Sequence, residues 1–212
     1  PAMPDIARYA PPPAVRPGTD EIETAARLLS GAKNPVMLAG RCSRNMDAWN
    51  QRIALAEKLD MRVLTQIKLP AAFPTDHRLH AAPPANRLVP EARKVLAAAD
   101  VIISLDWLDL AGALKQSFGD KPVTAKIIHI SCDNHLHRGW SMDYQALPPV
   151  DVFMQCEPEG AVPLLTAAVT ARPQLIKTGS YSLAGKAAEP LALKGLAYAL
   201  NAAVGKQEVC YT

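Results

Sequence analysis

The stretch Asn34 to Asn45, NPVMLAGRCSRN, decides how this chain is read. Val36–Gly40 is an apolar run too short for a helix and closed by a glycine, the pattern of a buried strand entering a turn. In α/β folds a phosphate-binding loop begins at such a place. A glycine there lets the backbone approach an anion held at a helix N-terminus. Only one glycine is present, and Arg41, Cys42, Ser43 and Arg44 follow it.

The same kind of apolar segment recurs along the chain. RVLTQ (62–66), VIISLD (101–106), AKIIHISCD (125–133) and VDVFMQC (150–156) read as further strands. Helical patterns lie between them. GTDEIETAARLLSGAK places Ile22, Ala25, Ala26 and Leu29 on one face, with Thr19 or Asp20 as cap and Gly31 near the end. MDAWNQRIALAEKLD carries a stripe of Trp49, Ile53 and Ala56, and PEARKVLAAAD has Pro90 in its first turn. AGALKQSF reads as a short helix, and PEGAVPLLTAAV as one whose first turn suits Pro158 and Glu159. Strands alternating with helices predict an α/β fold: a Rossmann-like parallel sheet of five or six strands with helices on both faces, in three layers. Ligands in such sheets sit at the carboxyl ends of the strands. The candidate positions are therefore Gly40, Arg41, Ser43, Gln66, Asp106 and Asp133.

Between the second strand and the next helix runs IKLPAAFPTDHRLHAAPPANRLV, where Pro70, Pro74, Pro83 and Pro84 exclude a continuous helix. A loop of this length predicts a segment lying over a site or an interface.

Composition narrows the function. The 212 residues are 49% hydrophobic and carry a net charge of only +3. The chain can bury a full core, and its scattered Lys and Arg offer no nucleic-acid footprint. No apolar run is as long as a membrane span. Cys42, Cys132, Cys156 and Cys210 are far apart in sequence, which suits reduced thiols in a cytoplasmic protein.

The ends predict a piece of a longer polypeptide. Residues 1–18 are Pro-rich and read as an inter-domain connector. Residues 19–170 form the Rossmann-like domain and 171–189 a linker. Residues 190–212, with Leu193, Leu196, Leu200 and Val204 along one helix side and EVCYT as an incipient strand, read as the start of a further domain.

The ordered segments AARLLSGAKNPVMLAG, ALAEKLDMRVLTQ, AFPTDHRLH, LAAADVIISLD and AKIIHISCD resemble the central domain of thiamine-diphosphate-dependent enzymes, of the acetolactate synthase and 2-oxo acid decarboxylase type. The likeness spans roughly residues 20–170. It implies a transferase or lyase parent that uses thiamine diphosphate and magnesium at sites outside this chain. The glutamate that activates the thiamine ring would lie in an N-terminal domain, and a Gly-Asp-Gly motif in a C-terminal one. It also implies contacts with those two domains and a homodimeric or homotetrameric parent. No Gly-Asp-Gly occurs here; Gly119-Asp120 precedes Lys121 and Pro122. The central domain is then a non-catalytic scaffold.

Some members of that family hold FAD or ADP in this domain. Against this, Arg41 and Cys42 replace further glycines, and the family's Ile-Asp-x-Asp/Glu pattern becomes Ile130-Ser131-Cys132-Asp133. The family's Gly-x-Arg after the third strand becomes Asp106-Trp107-Leu108. These departures predict a pocket that is empty or repurposed. The alternative is a free-standing Rossmann-like module that binds FAD, ADP or NAD.

Three other constellations have structural readings. Cys132, Asp133, His135 and His137 match no zinc spacing and read as a polar turn. Cys42 lacks a neighbouring base and reads as inert. Asp106 and Asp109 bracket Trp107 and read as caps for the short helix after the third strand rather than as general acid/base groups, and Trp140, Met142 and Tyr144 read as loop packing or a domain contact.

Overall fold

The computed structural model describes residues 5–10, 14–133, 144, 146–177, 192–205 and 207. They belong to two units, Pro1–Ser180 and Tyr181–Thr212.

The first unit is built on five parallel strands: β1 (Pro35–Ala39), β2 (Arg62–Thr65), β3 (Val101–Leu105), β4 (Lys126–Ile130) and β5 (Val152–Met154). Their order across the sheet is β2-β1-β3-β4-β5. Alternate residues of each strand feed two separate cores. Met37, Ala39, Ile103 and Ile128 pack with α1 (Thr19–Gly31), α2 (Met46–Lys58) and α5 (Pro158–Ala168) on one face. Val36, Leu38, Ile102 and Ile127 pack with α3 (Pro90–Ala97) and α4 (Leu110–Phe118) on the other. A sheet covered on both faces needs strands that are mostly apolar on both sides, which is why polar–apolar alternation is absent from the sequence. The three-layer α/β/α arrangement agrees with the expectation.

The helix ends follow local chemistry. Gly18, rather than Thr19 or Asp20, is the N-cap of α1, and its N–H is satisfied at 2.8 Å by the Glu21 carboxylate reaching back. Ile22, Ala25, Ala26 and Leu29 are buried. The fully buried Leu29 contributes about 2 kcal/mol. Asn45 caps α2 by accepting from Asp47 N at 2.8 Å, Pro90 opens α3, and Asp109 caps α4 through Gly112 N at 3.1 Å.

Several strands stop short of their apolar runs. β3 ends at Leu105 because Asp106 takes a left-handed turn, with φ at 53°. β5 ends at Met154 because Cys156 N bonds back to the Met154 carbonyl at 2.9 Å. The long segment 66–89 contains no helix or strand. A single bridge from His80 to Val63 is all that extends the sheet beyond β2 among the described residues. Phe73, Leu79, Ala81 and Ala82 of this segment are nevertheless buried.

After α5, residues 171–177 run without regular structure but are tied down. Arg172 reaches the Leu59 and Lys33 carbonyls, and the buried Asp60 carboxylate accepts from Leu175 N and Ile176 N at 2.7 and 3.0 Å. In the second unit the described element is α6 (Leu193–Val204), with Leu193, Leu196 and Leu200 exposed. The incipient strand EVCYT lies outside the described residues, as do His135, His137, Trp140 and Met142.

Candidate functional site: the crevice between β1 and β3

The strand order reverses between β1 and β3, so their two connections leave on opposite faces. An open parallel sheet gapes at the carboxyl ends of such a pair, and ligands enter there. Here a cleft of about 450 Å³ lies at that end, lined by Arg41, Cys42, Ser43, Asp106, Asp133 and Glu159 among others.

Gly40 sits at the mouth of β1. Its N–H donates to the Leu105 carbonyl at 2.9 Å, and Arg41 N donates to the Asp106 carbonyl at 3.0 Å. A Cβ on Gly40 would lie 2.3 Å from the Asp106 carbonyl oxygen and 2.6 Å from Trp107 Cα. The missing side chain makes room for the neighbouring backbone of β3.

Arg41 turns its side chain across the crevice. Nη2 donates to Asp106 Oδ1 at 2.8 Å and also to Asp133, while Nε faces Asp106 Oδ2 at 2.8 Å without hydrogen-bond alignment. Partial burial works against the guanidinium charge, but hydrogen bonds and charge from the two aspartates outweigh it and raise the pKa. Asp106 Oδ1 also accepts from Ser131 Oγ at 2.6 Å, and Ser131 Oγ accepts from Asp133 N at 3.0 Å. Ser131 thus supports the neighbouring Asp106 with a donor. A carboxylate there would meet Asp106 with like charge.

A second set of contacts fills the donors at the other lip. Glu159, in the first turn of α5, accepts from Ser43 N at 2.6 Å. It also pairs with Arg52 at 3.4 Å. Arg52 is only 1% exposed, held by the carbonyls of Ala72 and Ser43 at 3.0 Å each and lying near the Trp49 ring. A free backbone N–H, a buried arginine and a helix N-terminus are the donors a phosphate seeks. In this crevice Glu159 engages the first two and places its own negative charge in the first turn of α5. With Asp106, Asp133 and Glu157 also on the wall, an incoming phosphate would meet a predominantly negative surface.

The thiols at this end are poor nucleophiles. Burial pushes Cys42 up to about 12, aided by Glu159 and Asp106 and opposed by Arg52. Burial likewise raises Cys156 to about 11. Cys132 is exposed, and its pKa is also raised, by partial burial and then by Glu157, Asp106 and Asp133. Among the described residues no group of three or more His, Cys, Asp or Glu side chains is arranged to hold a metal ion.

Of the sequence-derived positions, Arg41, Ser43, Asp106 and Asp133 line one cleft; Gly40 does not line it but packs against the backbone of Asp106 and Trp107. Gln66 does not join them. Its Nε2 donates to the Leu108 carbonyl at 3.0 Å, its Oε1 is buried without a hydrogen bond, and the residue lines a separate cavity of about 30 Å³. That space suits one ordered water and is far too small for a nucleotide. Arg52 was missed because a charged residue beside an apolar stripe is normally read as solvated. Its position three residues from Trp49 and four from Ala56 was the available signal. Glu159 was visible only as a favourable first-turn acid.

The one Gly-Asp pair lies where α4 ends: Gly119 is its C-cap, and Asp120 is an exposed partner of Lys115. These residues do not fit a diphosphate–metal site.

The geometry thus defines an open parallel α/β domain with a switch-point cleft. Residues 22–154 match the family described as thiamine pyrophosphate enzyme, central domain, and the chain belongs to that family. It is 35% identical over 121 residues to a sulfoacetaldehyde acetyltransferase of Castellaniella defragrans, covering 56% of this chain and 20% of that one. It is 28% identical over 123 residues to an acetolactate synthase of Mycobacterium avium, covering 57% and 19%. Among solved structures it resembles a benzoylformate decarboxylase of Polynucleobacter necessarius, with a TM-score of 0.65 at 19% identity over 92% of this chain and 35% of that one. The matched region is about a fifth of the curated relatives' length. No helix among the described residues is long and apolar enough to cross a membrane.

Proposed function

We propose that the chain is the central, non-catalytic scaffold domain of a thiamine-diphosphate-dependent enzyme, and that its nucleotide crevice is degenerate. The parent is an acetolactate synthase-like carboligase or decarboxylase acting on 2-oxo acids, a transferase or lyase that also uses magnesium. Thiamine diphosphate, when bound in the parent, supplies carbanion stabilisation. The names of the relatives, acetyltransferases and a synthase, favour transfer of an acyl unit over simple decarboxylation.

The observation that carries the reading is Arg41 lying across the crevice between Asp106 and Asp133. A cation that is satisfied by two carboxylates of its own domain is not free for a phosphate. The residues of this chain bind no reacting group in this account. They hold a parallel sheet, and Asp60 and Arg172 tie residues 172–176 to it. The partners are the N- and C-terminal domains of the same polypeptide, in a cytoplasmic homodimer or homotetramer. The scattered thiols and the exposed leucines of α6 support these two points. The second reading, a free-standing FAD, ADP or NAD module, is opposed by the carboxylates that line the crevice.

The scaffold role is tested by titrating the 212-residue chain with thiamine diphosphate and magnesium in a calorimeter, and by assaying pyruvate consumption under the same conditions. No heat and no turnover are expected. Turnover by this chain alone would contradict the reading.

A further inference from the structure

At the amino ends of β1 and β2, at the opposite end of the sheet from the Arg41 cleft, lies a second cavity of about 480 Å³. This is within the size range of small-molecule sites. Val36 of β1, Val95 of α3, and Leu175 and Ile176 of the segment after α5 give it an apolar wall. Leu175 is 77% exposed, an apolar side chain left facing the solvent side of the cavity.

The polar lining is cationic. Lys33, Arg62, Lys94 and Arg172 all contribute to it. Arg172 is held by the Leu59 and Lys33 carbonyls. Lys33, Arg62 and Lys94 make no side-chain hydrogen bond or ion pair among the described residues. The one carboxylate in the lining, Asp60, is neutralised by Arg78 at 2.7 Å and by the two N–H groups of Leu175 and Ile176. Nearby, Asp100 accepts from the backbone of Lys33 and Asn34. α3 also ends here, and its C-terminus presents partial negative charge that Lys94 in the last turn offsets. The charge pattern is therefore the reverse of the crevice: cations free at the amino ends, carboxylates at the carboxyl ends.

We propose that this cavity binds a small organic anion with an apolar body. Its carboxylate, sulfonate or phosphate head would face Lys33, Arg62 and Lys94. Its apolar part would lie on Val95, Leu175 and Ile176. Cations with no protein partner give charge-assisted contacts to the head, and the apolar wall beside them gives burial to the body. This site is independent of the thiamine reading, because none of its residues lines the crevice.

The test is a titration of the 212-residue chain with 8-anilinonaphthalene-1-sulfonate, followed by fluorescence, with octanoate and inorganic phosphate as competitors. Saturable one-site binding is expected, displaced by octanoate at far lower concentration than by phosphate. The double variant Arg62→Glu/Lys94→Glu should bind about tenfold more weakly or worse, since two charge-assisted contacts become repulsive. Lys121→Glu, a charge reversal elsewhere on the surface, should leave binding unchanged. Circular dichroism checks that each variant is folded. If the double variant is not, Lys94→Ala and Leu175→Ser carry the comparison, both side chains being exposed. Absence of saturable binding, equal affinity in the cavity variants, or phosphate competing as well as octanoate would overturn the proposal.

Discussion

Arg41 Nη2 lies 2.8 Å from Asp106 Oδ1, joining the turn after β1 to the end of β3 across the sheet's switch point. The pair ties the sheet together at the switch point, where ligands enter folds of this kind. Asp106 is well buried and Arg41 is 37% exposed in its side chain, so the contact lies between a core and a surface ion pair. Arg41→Ala should destabilise the domain by about 1–2 kcal/mol, after discounting for solvent screening of the exposed guanidinium. Arg41→Ala/Asp106→Asn should cost less than the two single changes summed, because the double variant no longer leaves a charged Asp106 without its cation. Urea unfolding of all four proteins measures this. Strict additivity would mean the pair is not coupled.

Gly40→Ala tests why the glycine is there. A glycine kept for ligand approach would tolerate alanine without loss of stability. A Cβ 2.3 Å from the Asp106 carbonyl oxygen demands backbone movement in two adjacent strands. The expected cost is about 1–3 kcal/mol, read as a drop in the urea midpoint. An unchanged midpoint would return the glycine to a ligand role.

Much of this was legible in the sequence, and the limits were physical. VMLAG and VIISLD read as buried strands because helices cover both faces, so neither run alternates apolar and polar residues, although Ser104 lies buried within the second. The topology concentrated Arg41, Ser43, Asp106 and Asp133 at one end, as their strand-end positions required. What could not be read was how side chains pair across the sheet. Arg41 and Asp133 are 92 residues apart, and nothing in local pattern says that one turns toward the other. Gln66 stands at a strand end too, yet β2 is the edge strand and its side chain turns toward Leu108. Arg52 looked like a solvated residue because its partners, the carbonyls of Ala72 and Ser43, come from loops whose course the sequence does not give.

Acid should release the segment after α5 first. Burial alone would raise the Asp60 pKa, but Arg78 and the N–H groups of Leu175 and Ile176 more than offset it and hold it below the usual carboxylate range. A depressed folded-state pKa contributes stability that is full above the unfolded value of about 3.9 and is lost as pH falls through the folded one. Amide exchange at Leu175 and Ile176 should therefore accelerate below about pH 4 relative to the strands. Asp60→Asn should flatten the acid limb of the stability profile. A profile unchanged by this substitution would show that Asp60 does not set it.

The described thiols should label in a fixed order. Cys132 is exposed, whereas Cys42 and Cys156 are held at about 12 and about 11 by burial. In a Cys210→Ser background, an aromatic disulfide reagent at pH 8 should modify Cys132 alone in the folded protein. Cys42 and Cys156 should react only on unfolding, with peptide mass mapping to assign each site. Early labelling of Cys42 would mean the crevice end opens on the timescale of the reaction.

The account stands most directly on whether the crevice accepts a nucleotide. Calorimetric titration of the 212-residue chain with FAD, ADP and NAD in turn measures it. The Arg41–Asp106–Asp133 tie and the Glu159 carboxylate predict no saturable heat for any of the three up to about 1 mM, a free energy near −4 kcal/mol. Micromolar binding of any one of them would contradict the account.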